Sequence, residues 1–281
     1  MNRFELTTMF NIENWSQGLR ELSFKTVGIR LEMDEVDAIL ANLGEFGDEE
    51  SDKEGRNKVL NVARALGSQM YKAKISEGFL KLGSRSDKDN YPMWRRNTPR
   101  IHEHEAQLEI FTRLTGTSER FYEDLSAARA NGYRPWLFIR EFAEIPKWQE
   151  FRCFVHDGEL RQISQYFYRE YFPEIAEHVS YIPDLVADYL EKKLKPAARV
   201  KDLQGNEIEL KDYVFDIAIE VNRLYELNND YDITLIELNP PLYEAFGVDP
   251  CLFTHEEIKS GIREFRYNKF TPASVAIGGS V

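Results

Sequence analysis

Hydrophobic and polar positions change their period along this chain. From Ser23 to Leu31 they alternate roughly, with Thr26, Val27 and Ile29 β-branched, the signature of a strand. After Asp34, a candidate cap, Val36, Ile39, Leu40 and Leu43 fall three or four residues apart, as on one face of a helix. Val59, Leu60, Val62, Ala63 and Leu66 predict a second helix over 56–67, with Gly67 as its stop. Ile75 to Leu82 predicts a strand and Gly83 to Asp89 a polar loop leaving it. Residues 103–130 carry helical spacing, broken near Gly116.

From Pro135 the pattern shifts to strands. Trp136-Leu137-Phe138-Ile139 is of the buried type. Glu150–Val155 and Glu159–Gln165 flank His156-Asp157-Gly158, and an Asp-Gly step between two β runs is a hairpin signal. A long amphipathic helix is expected over 170–194, then strands over 213–221 and 231–239. Thr254 and Glu257 have capping-box spacing at the head of a helix running to Phe265. The organisation expected is α+β: an N-terminal lobe 1–134 with an acidic loop 44–55, a C-terminal lobe 135–271 with a mostly antiparallel sheet, and a flexible tail 272–281. The seam falls near Gly132-Tyr133-Arg134.

Composition narrows the function classes. Over 281 residues, 36 Lys and Arg face 48 Asp and Glu, a formal charge of −12. A nucleic-acid grip spread over the whole surface needs clustered cations and is not favoured, although a local basic groove is compatible with this balance. Two cysteines, Cys153 and Cys251, are too few for a disulfide framework or a four-cysteine zinc site. The N-terminus has no apolar run with a small-residue cleavage site, and no stretch has the length of a membrane span. A cytoplasmic protein is expected.

The common nucleotide-binding and hydrolase motifs are absent: no P-loop, no strand-linked Gly-x-Gly-x-x-Gly, no Gly-x-Ser-x-Gly elbow. His102 and His104, two apart on a helix, point to different faces and suit solvent better than a metal. More informative are Asp216 and the strand Ile233-Thr234-Leu235-Ile236-Glu237-Leu238-Asn239 before a proline pair. In a regular strand Glu237 and Asn239 share a face, with Leu235 beside them and Ile236 and Leu238 opposite. With Asp216 on a neighbouring strand they form a hard-oxygen set suited to magnesium; a polar strand edge facing water uses the same residues. Lys81, Arg140 and Arg152 lie on otherwise apolar strands. Each alone reads as half of an ion pair, and the three together suit a polyphosphate.

Phe138-Ile139-Arg140-Glu141-Phe142, Ile145-Pro146, Glu150-Phe151-Arg152-Cys153-Phe154-Val155 and Ile163-Ser164-Gln165 resemble the cell division cycle protein 123 family. So do Tyr213-Val214-Phe215-Asp216-Ile217, Leu235-Ile236-Glu237-Leu238-Asn239-Pro240 and the opening around Trp15 and Leu19–Ser23. The resemblance spans roughly 15–265 and is dense in 136–168 and 213–254. It implies an ATP-grasp fold, two α+β lobes with ATP between them. Lys81 and Arg152 then match the phosphate-contacting and catalytic cations. Arg140, Glu141 and Phe142 match the adenine-lining stretch, and Asp216, Glu237 and Asn239 the magnesium ligands. The family's eukaryotic members are ATP-binding chaperones that assemble translation initiation factor 2, which implies a protein partner of translation-factor type. An ADP-forming ligase activating a carboxylate, or acting on a nucleic-acid end, is the alternative within the superfamily. Three places depart from the family. Glu237 stands where the family has Asp, the loop 83–89 lacks its Trp-Ser-x-Pro-Arg-Asp pattern, and Pro240-Pro241-Leu242-Tyr243 replaces Pro-Phe-Gly.

Overall fold

The structure is a computed structural model that describes residues 2–44, 53–83, 85–86, 103–220, 232–241, 251–260 and 263–269. Most of the acidic loop 44–55, most of the loop 83–89 and the tail 272–281 lie outside these residues. In chain order the elements begin with α1 (Arg3–Met9), α2 (Gln17–Glu21), β1 (Thr26–Arg30), α3 (Met33–Asn42), α4 (Lys53–Lys72) and β2 (Gly78–Leu82). They continue with α5 (Glu103–Leu114), α6 (Glu119–Ala130), β3 (Trp136–Glu141), β4 (Glu150–His156), β5 (Glu159–Gln165), α7 (Pro173–His178) and α8 (Ile182–Tyr189). The last are α9 (Lys195–Ala197), β6 (Arg199–Lys201), β7 (Glu207–Glu209), β8 (Tyr213–Ile219), β9 (Ile233–Asn239), α10 (His255–Ser260) and β10 (Glu264–Arg266).

Two units divide the chain. One comprises Met1–Trp15, Phe24–Ala143 and Lys201–Asn206; the other comprises Ser16–Ser23, Glu144–Val200 and Glu207–Val281. The seam expected at 132–134 is therefore found after Ala143. The reason is pairing: β3 is the central strand of a sheet ordered β1-β3-β2, so it belongs with what precedes it. Ser16–Ser23 joins the second unit, where the Leu235 N–H donates to the Leu22 carbonyl at 2.8 Å and the Ser23 hydroxyl to the Leu235 carbonyl.

In the first unit, Leu80, Leu82, Leu137 and Ile139 point to one face of the sheet. They pack with Ile39, Val59, Leu66 and Ile110 of the helices. Fully burying each such side chain stabilises by about 1.5–3 kcal/mol. Two helix readings change here. Asp34 is not the cap of α3; Glu32 is, in a capping box with Glu35, and Asp34 instead pairs with Lys58 at 3.1 Å. Gly67 does not stop α4 but sits inside it. A Cβ there would come within 2.6 Å of Gln107 Cγ, so the glycine lets α5 approach closely.

The second unit holds a five-stranded sheet ordered β10-β5-β4-β8-β9, antiparallel except for the β10–β5 pair. The β4–β5 hairpin turns on Asp157 and Gly158, both at positive φ (52° and 73°), as a tight primed turn requires. The helix expected over 170–194 is broken into α7, α8, a π-helical turn at Leu190–Leu194 and α9. Pro173 and Pro183 each stand in the first turn of a helix, where proline fits; from Ile182 the helical path runs on through the π-helical turn to Ala197. The helix from Thr254 has its capping box and is described as far as Ser260. Residues 264–266 become β10, which pairs with β5. Among the described residues no helix is long and apolar enough to cross a membrane.

Candidate functional site

Cross-strand partners in an antiparallel pair share a face. In the second unit the register lines up Arg266, Ser164, Arg152, Asp216 and Glu237 as one row across all five strands. Asn239 lies on the same face, opposite Val214. Phe154 and Val214 on that face pack against Phe253 and Ile258, so its end beside the row is apolar and covered. The other face carries Phe151, Cys153, Phe215, Ile217, Leu235 and Leu238, all buried. Tyr189 of α8 lies within electrostatic reach of Cys153 and Tyr213 on that side.

Two β-bulges create the row. In β9 the partner sum shifts by one between Asp216 and Ile217, leaving Ile236 as the extra residue. Leu235 thereby turns to the core with Leu238, not to the face of Glu237 and Asn239 as regular alternation predicts. In β5 the extra residue is Arg161, which brings Ser164 rather than Ile163 opposite Arg152.

Arg152 and Asp216 form a bidentate pair: Nε donates to Oδ1 and Nη2 to Oδ2, each at 2.8 Å. Their side chains are only 6% and 2% exposed. Both Asp216 oxygens thus accept a hydrogen bond from Arg152. Glu237 is the next residue in the row. The Asn239 Nδ2 is buried without a hydrogen-bond partner among the described residues, an orphaned donor beside two carboxylates. Two carboxylates and an amide are hard donors of the kind magnesium takes. Burial, reinforced by the Asp216 charge, pushes the Cys153 thiol well up, so it is a packing residue and not a nucleophile.

In the first unit, Lys81 and Arg140 lie on the sheet face opposite the helices, with Phe79 and Phe138. Phe79 faces Arg140 and Phe138 faces Lys81 in register. Both cations are buried, and the Arg140 guanidinium stands 5.1 Å from the centre of the Phe24 ring. Gly28 faces Phe138; a Cβ there would lie 2.3 Å from the ring, so only glycine leaves Phe138 its place. The Glu141 N–H donates to Lys25 O and the Phe142 N–H to Glu77 O. Those two donors are committed to the ladder. After β2 the chain is tied down at Arg85, which pairs with Asp124 and Glu123.

The structure therefore gathers Arg152, Asp216, Glu237 and Asn239 on one sheet face of the second unit, and Lys81 and Arg140 on one sheet face of the first. Glu141 and Phe142 follow Arg140 at the strand end. Sequence reasoning missed Ser164 and Arg266 as members of the row. Counting back from the hairpin turn places Ile163 opposite Arg152, because the bulge at Arg161 has no sequence mark. His104 is exposed, in keeping with its expected place in solvent. At the hairpin tip, His156 Nδ1 lies 2.6 Å from Asp212 Oδ1, which also accepts the Asp157 N–H; this set locks the turn.

The class is an ATP-grasp-like fold, which the match to solved structures carries. The chain matches a structure of Cdc123 from Schizosaccharomyces pombe with a TM-score of 0.60 at 19% identity, over 95% of this chain and 98% of that one. A structure of C-terminally truncated Cdc123 from the same organism matches with a TM-score of 0.60 at 20% identity, over the same shares. The D123 family profile matches residues 108–273, more than half of the chain. The chain belongs to the D123 family, the one its sequence resembles.

Proposed function

We propose that this chain binds ATP with magnesium and uses the bound nucleotide in assembling a protein partner. The observation that carries the reading is the register that sets Glu237 beside Asp216 and puts Asn239 on the same face. Those three are the magnesium ligands in this reading. Lys81 and Arg140 are phosphate and nucleotide contacts, and Glu141 and Phe142 line the adenine. When bound, magnesium neutralises charge on the phosphates. Arg152, paired to Asp216 in a buried site, holds that carboxylate oriented. Direct contact of Arg152 with phosphate, as the family resemblance implies, would have to coexist with this pair. The partner class follows from the family: a translation factor of the initiation factor 2 type.

Calorimetric titration with ATP, with and without magnesium, tests the site. Binding should weaken at least ten-fold in Lys81→Ala and in Glu237→Gln, and the Asn239→Ala variant should need more magnesium for half-maximal binding. Wild-type affinity in both Lys81→Ala and Glu237→Gln would overturn the assignment. A pull-down with the tagged chain, plus and minus ATP, tests the assembly role. ADP release that appears only when an acid and an amine are supplied would instead establish a ligase.

A further inference from the structure

Tyr166 follows β5, and its N–H donates to the Glu150 carbonyl at 2.9 Å, so the ladder runs one residue beyond the strand. That register places Tyr166 and Glu150 on the same face as Arg152 and Asp216, one row along. The ring is held on two sides. The Arg152 guanidinium lies over it at 4.9 Å, and Phe167 meets it edge-on at 5.3 Å. The residue is half-buried, which leaves it reachable from solvent. Burial first, then the charges of Asp216, Glu237 and Glu150 against that of Arg152, push its phenol up to about 12. It is a neutral hydrogen-bond donor at any physiological pH. Yet, among the described residues, the hydroxyl donates to none of those three carboxylates.

A neutral donor on the face that carries Asp216 and Glu237, one row along from them, is placed for an oxygen anion that arrives with its own cation. We propose that Tyr166 contacts the ligand in this site, its hydroxyl donating to a phosphoryl oxygen of a magnesium-bound nucleotide. A neutral donor suits that task, because it orients the anion without competing with the cation for the carboxylates. The inference rests on the functional reading above, and its test separates the two.

The test is calorimetric titration of the full chain with magnesium-ATP and magnesium-ADP, comparing wild type with Tyr166→Phe. The substitution keeps the ring, so its contacts with Arg152 and Phe167 remain. One hydrogen bond to a charged acceptor is worth roughly ten-fold in affinity. A loss of about that size, with the melting temperature of the nucleotide-free variant unchanged, supports the contact. Loss with ATP alone assigns it to the terminal phosphoryl group, and loss with both nucleotides to an inner one. Equal affinity of variant and wild type overturns the proposal while leaving nucleotide binding intact. A nucleotide-free melting temperature lowered by several degrees assigns the hydroxyl a structural role and likewise overturns it. Absence of nucleotide binding by the wild type overturns the parent reading, and this one with it.

Discussion

The buried Arg152–Asp216 pair makes the sharpest energetic claim about this fold. Two side chains 6% and 2% exposed share two hydrogen bonds of 2.8 Å, so neither charge is solvated by bulk water. Removing one partner strands the other charge in a low-dielectric site. Such a loss costs about 3–5 kcal/mol, whereas removing both is far less damaging. Arg152→Met and Asp216→Asn should therefore each destabilise the nucleotide-free chain by about 3–5 kcal/mol. Arg152→Met carries a further small loss, about 0.5–1 kcal/mol, from its contact with the Tyr166 ring. The double variant should cost no more than either single variant, so the coupling between the two sites is at least about 3 kcal/mol. Urea unfolding followed by circular dichroism and tryptophan fluorescence measures all four corners of the cycle. Single-variant costs below about 1 kcal/mol, or additivity within about 0.5 kcal/mol, would refute the claim that this is a desolvated, mutually dependent pair. Nucleotide titrations of variants at Asp216 then need to be read beside these unfolding curves, since a lost fold and a lost ligand both abolish binding.

Two glycines and two residues of β9 extend the test to the backbone. Gly28→Ala should cost about 1–3 kcal/mol, because the new Cβ meets the Phe138 ring at 2.3 Å and the fixed Leu137 carbonyl at 2.9 Å. Gly132→Ala, at φ +61° with nothing within 4 Å, should cost only the backbone strain of about 1 kcal/mol, and a larger loss at Gly132 than at Gly28 would refute the packing account. Leu235→Ala should cost about 2–5 kcal/mol from a fully buried position, and Ile236→Ala, at the bulge and half-buried, less than about 1.5 kcal/mol. Chemical denaturation of the pair reads the bulge directly, since the reverse order would mean that β9 is regular.

Much of the site could be read in advance, because it depends on residue type and local order. Lys81, Arg140, Arg152 and Asp216 are charged residues inside apolar β runs, and such residues stand out wherever the fold places them. The hairpin at Asp157-Gly158 was equally legible, since few residues tolerate two consecutive positive φ angles. Helix ends were read less well. Asp34 and Gly67 carry the right chemistry for caps, but an ion pair with Lys58 and close packing against Gln107 put them to other uses.

The resemblance of its motifs supplied the family, while the chain's periodicity and charged positions were enough to name an α+β protein and its chemistry-bearing residues. They act locally, through side-chain size, charge and the pleat of a strand. Which residues became neighbours was settled by pairing between distant strands. Ile236 and Arg161 each add one residue to a ladder, and only the partner strand reveals it. Those two insertions turn Leu235 into the core and align Ser164, Arg152, Asp216 and Glu237. The same holds for β3, whose apolar run suits either unit until β1 and β2 pair with it. A strand's register is a property of two segments, and one segment read alone does not contain it.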